Sequence, residues 1–303
     1  MNFLVNHNED IYKVWKNYRG NLKLTSLDIQ KDIVKVAATV TTQVILDDLG
    51  DDLFAILIDE SHDISVKEQM VVVIRYVNNE EKVIECFLGV VHVSNTSALT
   101  LKSGLESLFA KYGLSLSRIR GQGYDGAMID RQLQELNNHF PEVNTELLLC
   151  VACLSPRDSF SAFDKERLIR LAQFYPSEFS QVELLTLDCQ LENYFLDVCS
   201  DSEFSELEGI DDLSIKLVET KKYVVYPLVY LLLKLSLILP VATTIAEKAF
   251  SAMNIIKNRM RNRMGDDWLN DCYTYIERDI FVDVENEKII QHFQNMKNRR
   301  EQL

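Results

Sequence analysis

The 303-residue chain is long enough for roughly two domains of about 150 residues each, or for one large α/β unit. Its 47% apolar and 26% charged residues exclude disordered, collagen-like and coiled-coil classes. Ten Gly and five Pro are too few for a sandwich of many tight β-turns, so helices should dominate. The net charge of −14 is unevenly spread: residues 1–128 carry 13 Lys/Arg against 17 Asp/Glu, residues 129–239 carry 9 against 19, and residues 240–303 carry 10 against 10. A domain that binds nucleic acid through its overall field is basic, so the global charge argues against that class and leaves only local DNA contacts.

In chain order, Ser26 to Leu46 places Ile29, Ile33, Val36, Val40 and Val44 at helical spacing, and Gly50 is its stop signal. The uninterrupted apolar run Leu53 to Ile58 ends at Asp59-Glu60-Ser61, as expected of a central strand buried on both faces. Met70 to Val77 and Val83 to Val93 are β-branched runs separated by Asn78-Asn79-Glu80-Glu81, which predicts an antiparallel meander. Thr100 to Tyr112 has helical spacing and ends at Gly113; Leu116 to Ile119 then leads into Gly121-Gln-Gly-Tyr-Asp125. A helix between two strands is the crossover that parallel pairing requires, so the fourth strand is expected beside and parallel to the first.

Beyond Met128 the pattern turns helical. Asp130–Asn138, Phe163–Phe174, Val182–Val198 and Ile210–Val225 are predicted helices. Residues 188–212 hold nine acids and no Lys or Arg; a solvated face and connecting loop accounts for them, with a docking site for a basic partner as the alternative. Tyr223 to Leu239 is apolar, but its 17 residues contain Lys234 and fall short of the ~20 needed to span a bilayer, so a buried core helix is predicted and no membrane association. Six scattered cysteines, Cys86, Cys150, Cys153, Cys189, Cys199 and Cys272, and an N-terminus without a basic segment followed by an apolar one point to a reduced, intracellular protein. Cys150 and Cys153 form a C-x-x-C without a second ligand pair, and a buried structural role is expected for them.

Three acids could carry chemistry. Asp59 and Asp125 end the first and fourth predicted strands, where open α/β sheets place ligands. Two such carboxylates can hold Mg²⁺ or Mn²⁺, since hard cations take oxygen ligands and a metal pair can clamp the oxygens of a phosphodiester; an Asp that simply starts a turn is the other reading. Glu247 lies in Thr244-Ile-Ala-Glu247, which fits a capping box opening a helix that runs to about Met264 and stops at Gly265. Lys257, Arg259, Arg261 and Arg263 fall in its last two turns, where they complement the helix dipole or reach a phosphate.

The segments Leu57-Ile-Asp59-Glu-Ser-His-Asp-Ile-Ser65, Phe87-Leu-Gly89-Val-Val-His92, Leu116-Ser-Arg118-Ile-Arg-Gly-Gln-Gly-Tyr-Asp125-Gly-Ala127 and Pro240-Val-Ala-Thr-Thr-Ile-Ala-Glu247-Lys-Ala-Phe-Ser251 resemble hAT-superfamily transposases, and more closely the transposase-derived proteins that carry a TTF-type zinc finger. The resemblance implies an RNase H-like domain with a DDE triad at Asp59, Asp125 and Glu247. It also implies a C-terminal hAT dimerisation region over roughly Leu217 to Phe281, with nuclear residence and a homodimer or related hAT-derived proteins as partners. Residence is otherwise cytoplasmic, because Lys297-Asn-Arg-Arg300 is too short a basic cluster to decide. The sequence departs from the pattern in two places. No zinc finger precedes the RNase H-like part, so DNA binding is expected to be lost, and only 122 residues (247 − 125) separate the second and third acids, where the family has a fifth strand and a helical insertion.

The expected fold is therefore α/β, a truncated RNase H-like mixed sheet of order β-β-β-α-β with a mainly helical C-terminal half. Its parts are residues 1–128 (RNase H-like), 129–216 (remnant of the insertion), 217–281 (dimerisation) and 282–303 (tail). The expected function is that of a degenerate or domesticated transposase-derived protein without transposase activity that keeps dimerisation. No cofactor is expected if the site is inactive, and Mg²⁺ or Mn²⁺ if the triad is assembled. The alternative is a Mg²⁺-dependent DDE nuclease or strand transferase acting on DNA. The choice rests on physical tolerance: metal-dependent cleavage needs carboxylates held to within about 0.5 Å by a packed surround, whereas association needs only an apolar surface, which Tyr223 to Met264 with Trp268, Tyr273, Tyr275 and Phe281 is expected to supply.

Overall fold

A computed structural model describes residues 26–62, 68–93, 98–125, 145–240, 266–273, 280 and 284–296. Helix α1 (Leu27–Leu49) is capped by the Ser26 hydroxyl, which accepts from the Ile29 amide, and ends at Gly50 in a positive-φ conformation of 49° that side chains disfavour. Strands β1 (Phe54–His62), β2 (Glu68–Val77) and β3 (Val83–His92) come next, then α2 (Ala98–Tyr112), which stops at Gly113 with φ 68°. A single 3₁₀ turn (Leu116–Arg118) leads into β4 (Ile119–Asp125). The sheet order is β3-β2-β1-β4, antiparallel except for the parallel β1–β4 pair. The fold is α/β with a mixed four-stranded sheet of the RNase H-like kind, and the meander and crossover occur as the hydrophobic runs predict.

One strand differs from expectation. The apolar run stops at Ile58, yet β1 continues through Asp59, Glu60 and Ser61 to His62, because β2 offers ladder partners from Val71 to Glu68 along the whole length. Backbone pairing overrides the poor strand preference of Asp, Glu and Ser. Asp59 therefore lies inside β1 and does not end it, whereas Asp125 is the last residue of β4.

Each face of the sheet covers a separate core. On one face Phe54, Ile56, Ile58, Met70, Val72, Ile74 and Tyr76 pack with Ile45 and Leu49 of α1 and Leu101, Leu105 and Phe109 of α2. Side chains of the alternate set, including Ala55 and Val77, meet the helical half. That half comprises α3 (Thr145–Ala152), α4 (Lys165–Gln173), α5 (Gln181–Ser200), α6 (Ile210–Glu219) and α7 (Pro227–Ile238). Buried Leu168, Leu187, Leu191, Leu213, Leu217 and Leu232 knit these helices together, and α7 lies against β2 and β4. Short helices α8 (Asp266–Tyr273) and α9 (Asn286–Asn295) pack on α1, with Phe293 against Val36 and Val40.

The predicted helix Ile210–Val225 is broken: α6 ends at Glu219, Thr220 caps it, and Lys221 takes a left-handed φ of 58° before a separate helical turn, Lys222–Val225. Pro227 occupies the first turn of α7, where its missing N–H is tolerated. Within the apolar stretch Tyr223–Leu239, the part from Pro227 to Ile238 is the predicted core helix, whereas Tyr223, Val224 and Val225 sit exposed in the separate turn before it; among the described residues no helix is long and apolar enough to cross a membrane. Cys150 and Cys153 are both buried, and burial is the chief reason their thiols titrate above the usual range. The predicted helices Asp130–Asn138 and 244–264 lie outside the described residues.

Candidate functional site

Asp59 and Asp125 occupy directly paired positions of the parallel β1–β4 ladder, and Asp59 is flanked on its other side by Val71 of β2. Neighbouring strands run about 4.8 Å apart, so the two aspartate backbones stand side by side at one end of the sheet. The rows Ala55–Leu57 and Gly121–Gly123 lead, at the two-residue period of a strand, to Asp59 and Asp125. The sequence-predicted pair is thus brought together by backbone register.

The glycines of β4 explain how the C-terminal part of the chain reaches this end of the sheet. A Cβ at Gly121 would sit 3.1 Å from both Ala55 Cβ and Pro240 Cδ, and one at Gly123 would sit 2.9 Å from Pro240 Cβ. Only glycine admits the chain leaving α7 so close to the strand. Pro240 therefore rests beside Gly123, two residues before Asp125 and seven before Glu247 (247 − 240). Glu247 itself, with its predicted capping box, lies outside the described residues.

Arginines in the same motif have structural partners. Arg118 donates through Nε to Asp52 O at 2.9 Å and through Nη2 to Gly50 O at 2.8 Å, tying the α1–β1 turn, and its guanidinium lies 5.5 Å from the centre of the Phe54 ring. Arg120 pairs with Glu178 of the helical half, a pair mostly withdrawn from water. Arg75 of β2 pairs with Glu85 and donates to Leu237 O at 3.0 Å, joining the sheet to the end of α7.

Two polar side chains that the sequence did not announce complete the frame. Glu81, buried in the β2–β3 turn with φ 61°, accepts from Ser214 Oγ at 2.7 Å and Tyr230 OH at 2.6 Å. Burial, and then the Glu81 carboxylate, push the Tyr230 phenol well above its ordinary range. At the far edge, Asn270 of α8 accepts from Val90 N–H at 2.6 Å and donates to Val90 O at 2.9 Å, imitating a further strand against β3. Next to it, Gly89 makes room for α2 instead, since a Cβ there would meet Leu108 Cδ1 at 2.9 Å. A buried acid in a turn and an amide capping a strand edge carry no local signature; only the three-dimensional contacts reveal them.

The acidic run 188–212 is a largely solvated face, as expected, and part of it is ion-paired within the chain. Lys165 contacts Asp188 at 3.0 Å and Glu192 at 2.6 Å, while Lys222 contacts Asp197 at 2.7 Å and Asp201 at 3.3 Å. Glu203 lies 3.9 Å from Lys216. The lysines come from flanking segments, which is why the run itself looks unneutralised.

Residues 1–132 match the family model DUF4371, described as ZMYM1/FAM200, RNase-like domain. The matched stretch runs from α1 through β4 and includes both aspartates. This part of the chain is similar to a transposase-derived RNase-like domain.

Asp59 and Asp125 hold directly paired backbone positions, and by residue type carboxylates offer the oxygen chemistry that a hard cation such as Mg²⁺ or Mn²⁺ prefers. They are the residues that would hold such an ion, which when bound would polarise a phosphodiester and lower the pKa of its water.

Proposed function

We propose that this chain is a transposase-derived protein of the hAT kind whose RNase H-like site no longer cuts DNA and whose retained role is association with other protein chains. The observation that carries the reading is the contrast between the ordered geometry at one end of the sheet and the lack of any strand in the described segment after it. Asp59 and Asp125 keep the register of a paired acidic site. After β4, however, the described residues 145–240 are helical or irregular throughout, and β4 is the outer strand of the described sheet. A carboxylate site of this type depends on a packed surround to hold its ligands, and the fifth strand of the resemblance would supply it. The inherited role places the protein in the nucleus, with a second copy or a related hAT-derived chain as partner. DNA recognition is not part of the proposal.

The region of resemblance to a dimerisation module, Leu217–Phe281, contributes less free surface than its composition suggests. Val229, Leu232, Leu233 and Leu235 of α7 are buried in the chain's own core, and the exposed apolar residues described there are Tyr223, Val224 and Val225.

A second reading, a Mg²⁺-dependent nuclease or strand transferase, is favoured by one observation. Pro240 packs on Gly123, and the seven residues from there to Glu247 span at most about 25 Å, so Glu247 is within chain reach of the aspartate pair. Incubation of the full chain with end-labelled and supercoiled DNA in Mg²⁺ or Mn²⁺ separates the readings. The proposal expects no cleavage above that of the Asp125→Ala variant. Cleavage that disappears in both Asp59→Ala and Asp125→Ala would replace it with the enzyme reading.

A further inference from the structure

We infer that the outer face of α5 is a self-association surface on which a second copy of this chain docks antiparallel. The helix buries one side in its own core through Leu187, Leu191, Tyr194 and Val198. The opposite side is also apolar: Val182 and Leu185 are 72% exposed, Leu196 is 69% exposed, and Cys189 and Cys199 are exposed. With Glu192 these residues succeed one another at steps of three and four, the a and d spacing of a two-helix seam. Exposures this high mean that the seam stands clear of its neighbours, and a surface helix ordinarily turns polar residues outward.

Charge and symmetry select the occupant. A basic partner would need free acids along the seam, but those of α5 are engaged within the chain. Lys165 holds Asp188 and Glu192, Lys222 holds Asp197, and the Glu183 carboxylate accepts from the Ser180 amide at 2.7 Å in the helix's own capping box. What remains is an apolar strip whose only charge, Glu192, is already matched by Lys165. The strip complements itself. A two-fold axis at the midpoint of the 20-residue helix sets Gln181 level with Ser200 of the second copy. It then stacks Val182 on Cys199, Leu185 on Leu196 and Cys189 on Glu192 over a length of about 30 Å. Such a seam falls at the small end of specific interfaces, below roughly 1,200 Å², so the association is weak and reversible. This surface is separate from Leu217–Phe281 and does not depend on the catalytic reading.

Sedimentation velocity of the full chain across micromolar concentrations tests the inference. The expected result is a reversible dimer that tightens as salt is raised, because each copy carries −14 and screening removes the mutual repulsion. Leu185→Glu with Leu196→Glu should weaken it more than about 100-fold with unchanged circular dichroism, while Val224→Glu with Val225→Glu leaves it intact. Orientation is read by oxidative cross-linking in a Cys189→Ser, Cys199→Ser background. A mixture of Leu185→Cys and Leu196→Cys chains should form a disulfide dimer that neither chain forms alone. A monomer at every concentration and salt, a dimer indifferent to the α5 pair, or efficient cross-linking of Leu185→Cys with itself would each overturn it.

Discussion

The two faces of the one sheet are covered in different ways. Toward α1 and α2 the contact is a broad apolar layer built from alternate residues of β1 and β2, with Phe54 and Phe109 ring centres 5.9 Å apart at its middle. Toward the helical half the sheet offers small residues, Ala55, Gly121 and Gly123, and fixes its cover with Arg75, Arg120 and Glu81. The apolar side gains stability from area and tolerates adjustment. The other side gains specificity, since buried charged groups are satisfied in only one docking of the helices.

The largest effect that would sharpen this contrast is on the apolar side. Phe54→Ala should cost about 3–5 kcal/mol, measured by urea denaturation. Arg120→Ala leaves the Glu178 carboxylate, 10% exposed, without its cation and should cost about 3 kcal/mol. Restoring part of that loss in the Arg120→Ala, Glu178→Ala double variant would show that the single change acts by stranding a charge; no restoration would break the comparison. Titration with alkali gives a further test that reads both sides together. Tyr76 on the α1 side and Tyr194 and Tyr230 on the other all have phenols raised above the ordinary 10.0, chiefly by burial. The unfolded chain therefore loses these protons first, so stability from this source is constant below pH 10 and falls above it. Phenolate absorbance from these three should emerge only with unfolding. The smallest effect belongs to the exposed Lys82–Glu80 pair: Lys82→Ala should leave the melting midpoint unmoved.

Much of the sheet side was legible because its signals are local. The β-branched runs, Gly50 and Gly113 at positive φ, and the helix between β3 and β4 all act through nearest neighbours. The paired positions of Asp59 and Asp125 came from the crossover rule. The extension of β1 past Asp59 was hidden, since its cause is a ladder with residues 68–71. Helix α3 escaped notice because Leu147–Ala152 is too short and too uniformly apolar to show a period. The break at Lys221 has no glycine to announce it; it coincides with Lys222 reaching Asp197 and Asp201. Glu81 and Arg120 illustrate the general limit: whether a charge is buried depends on which distant residue meets it.

The close seat of Leu239 and Pro240 on the β4 glycines bears on how the gene can be divided. A fragment ending at residue 132, where the family match stops, would strip the helical cover from Ala55 and Val77, both of which are buried in the whole chain. Expressed by itself, such a piece would be sticky and prone to precipitate, so the sheet and its helical cap have to be inherited together.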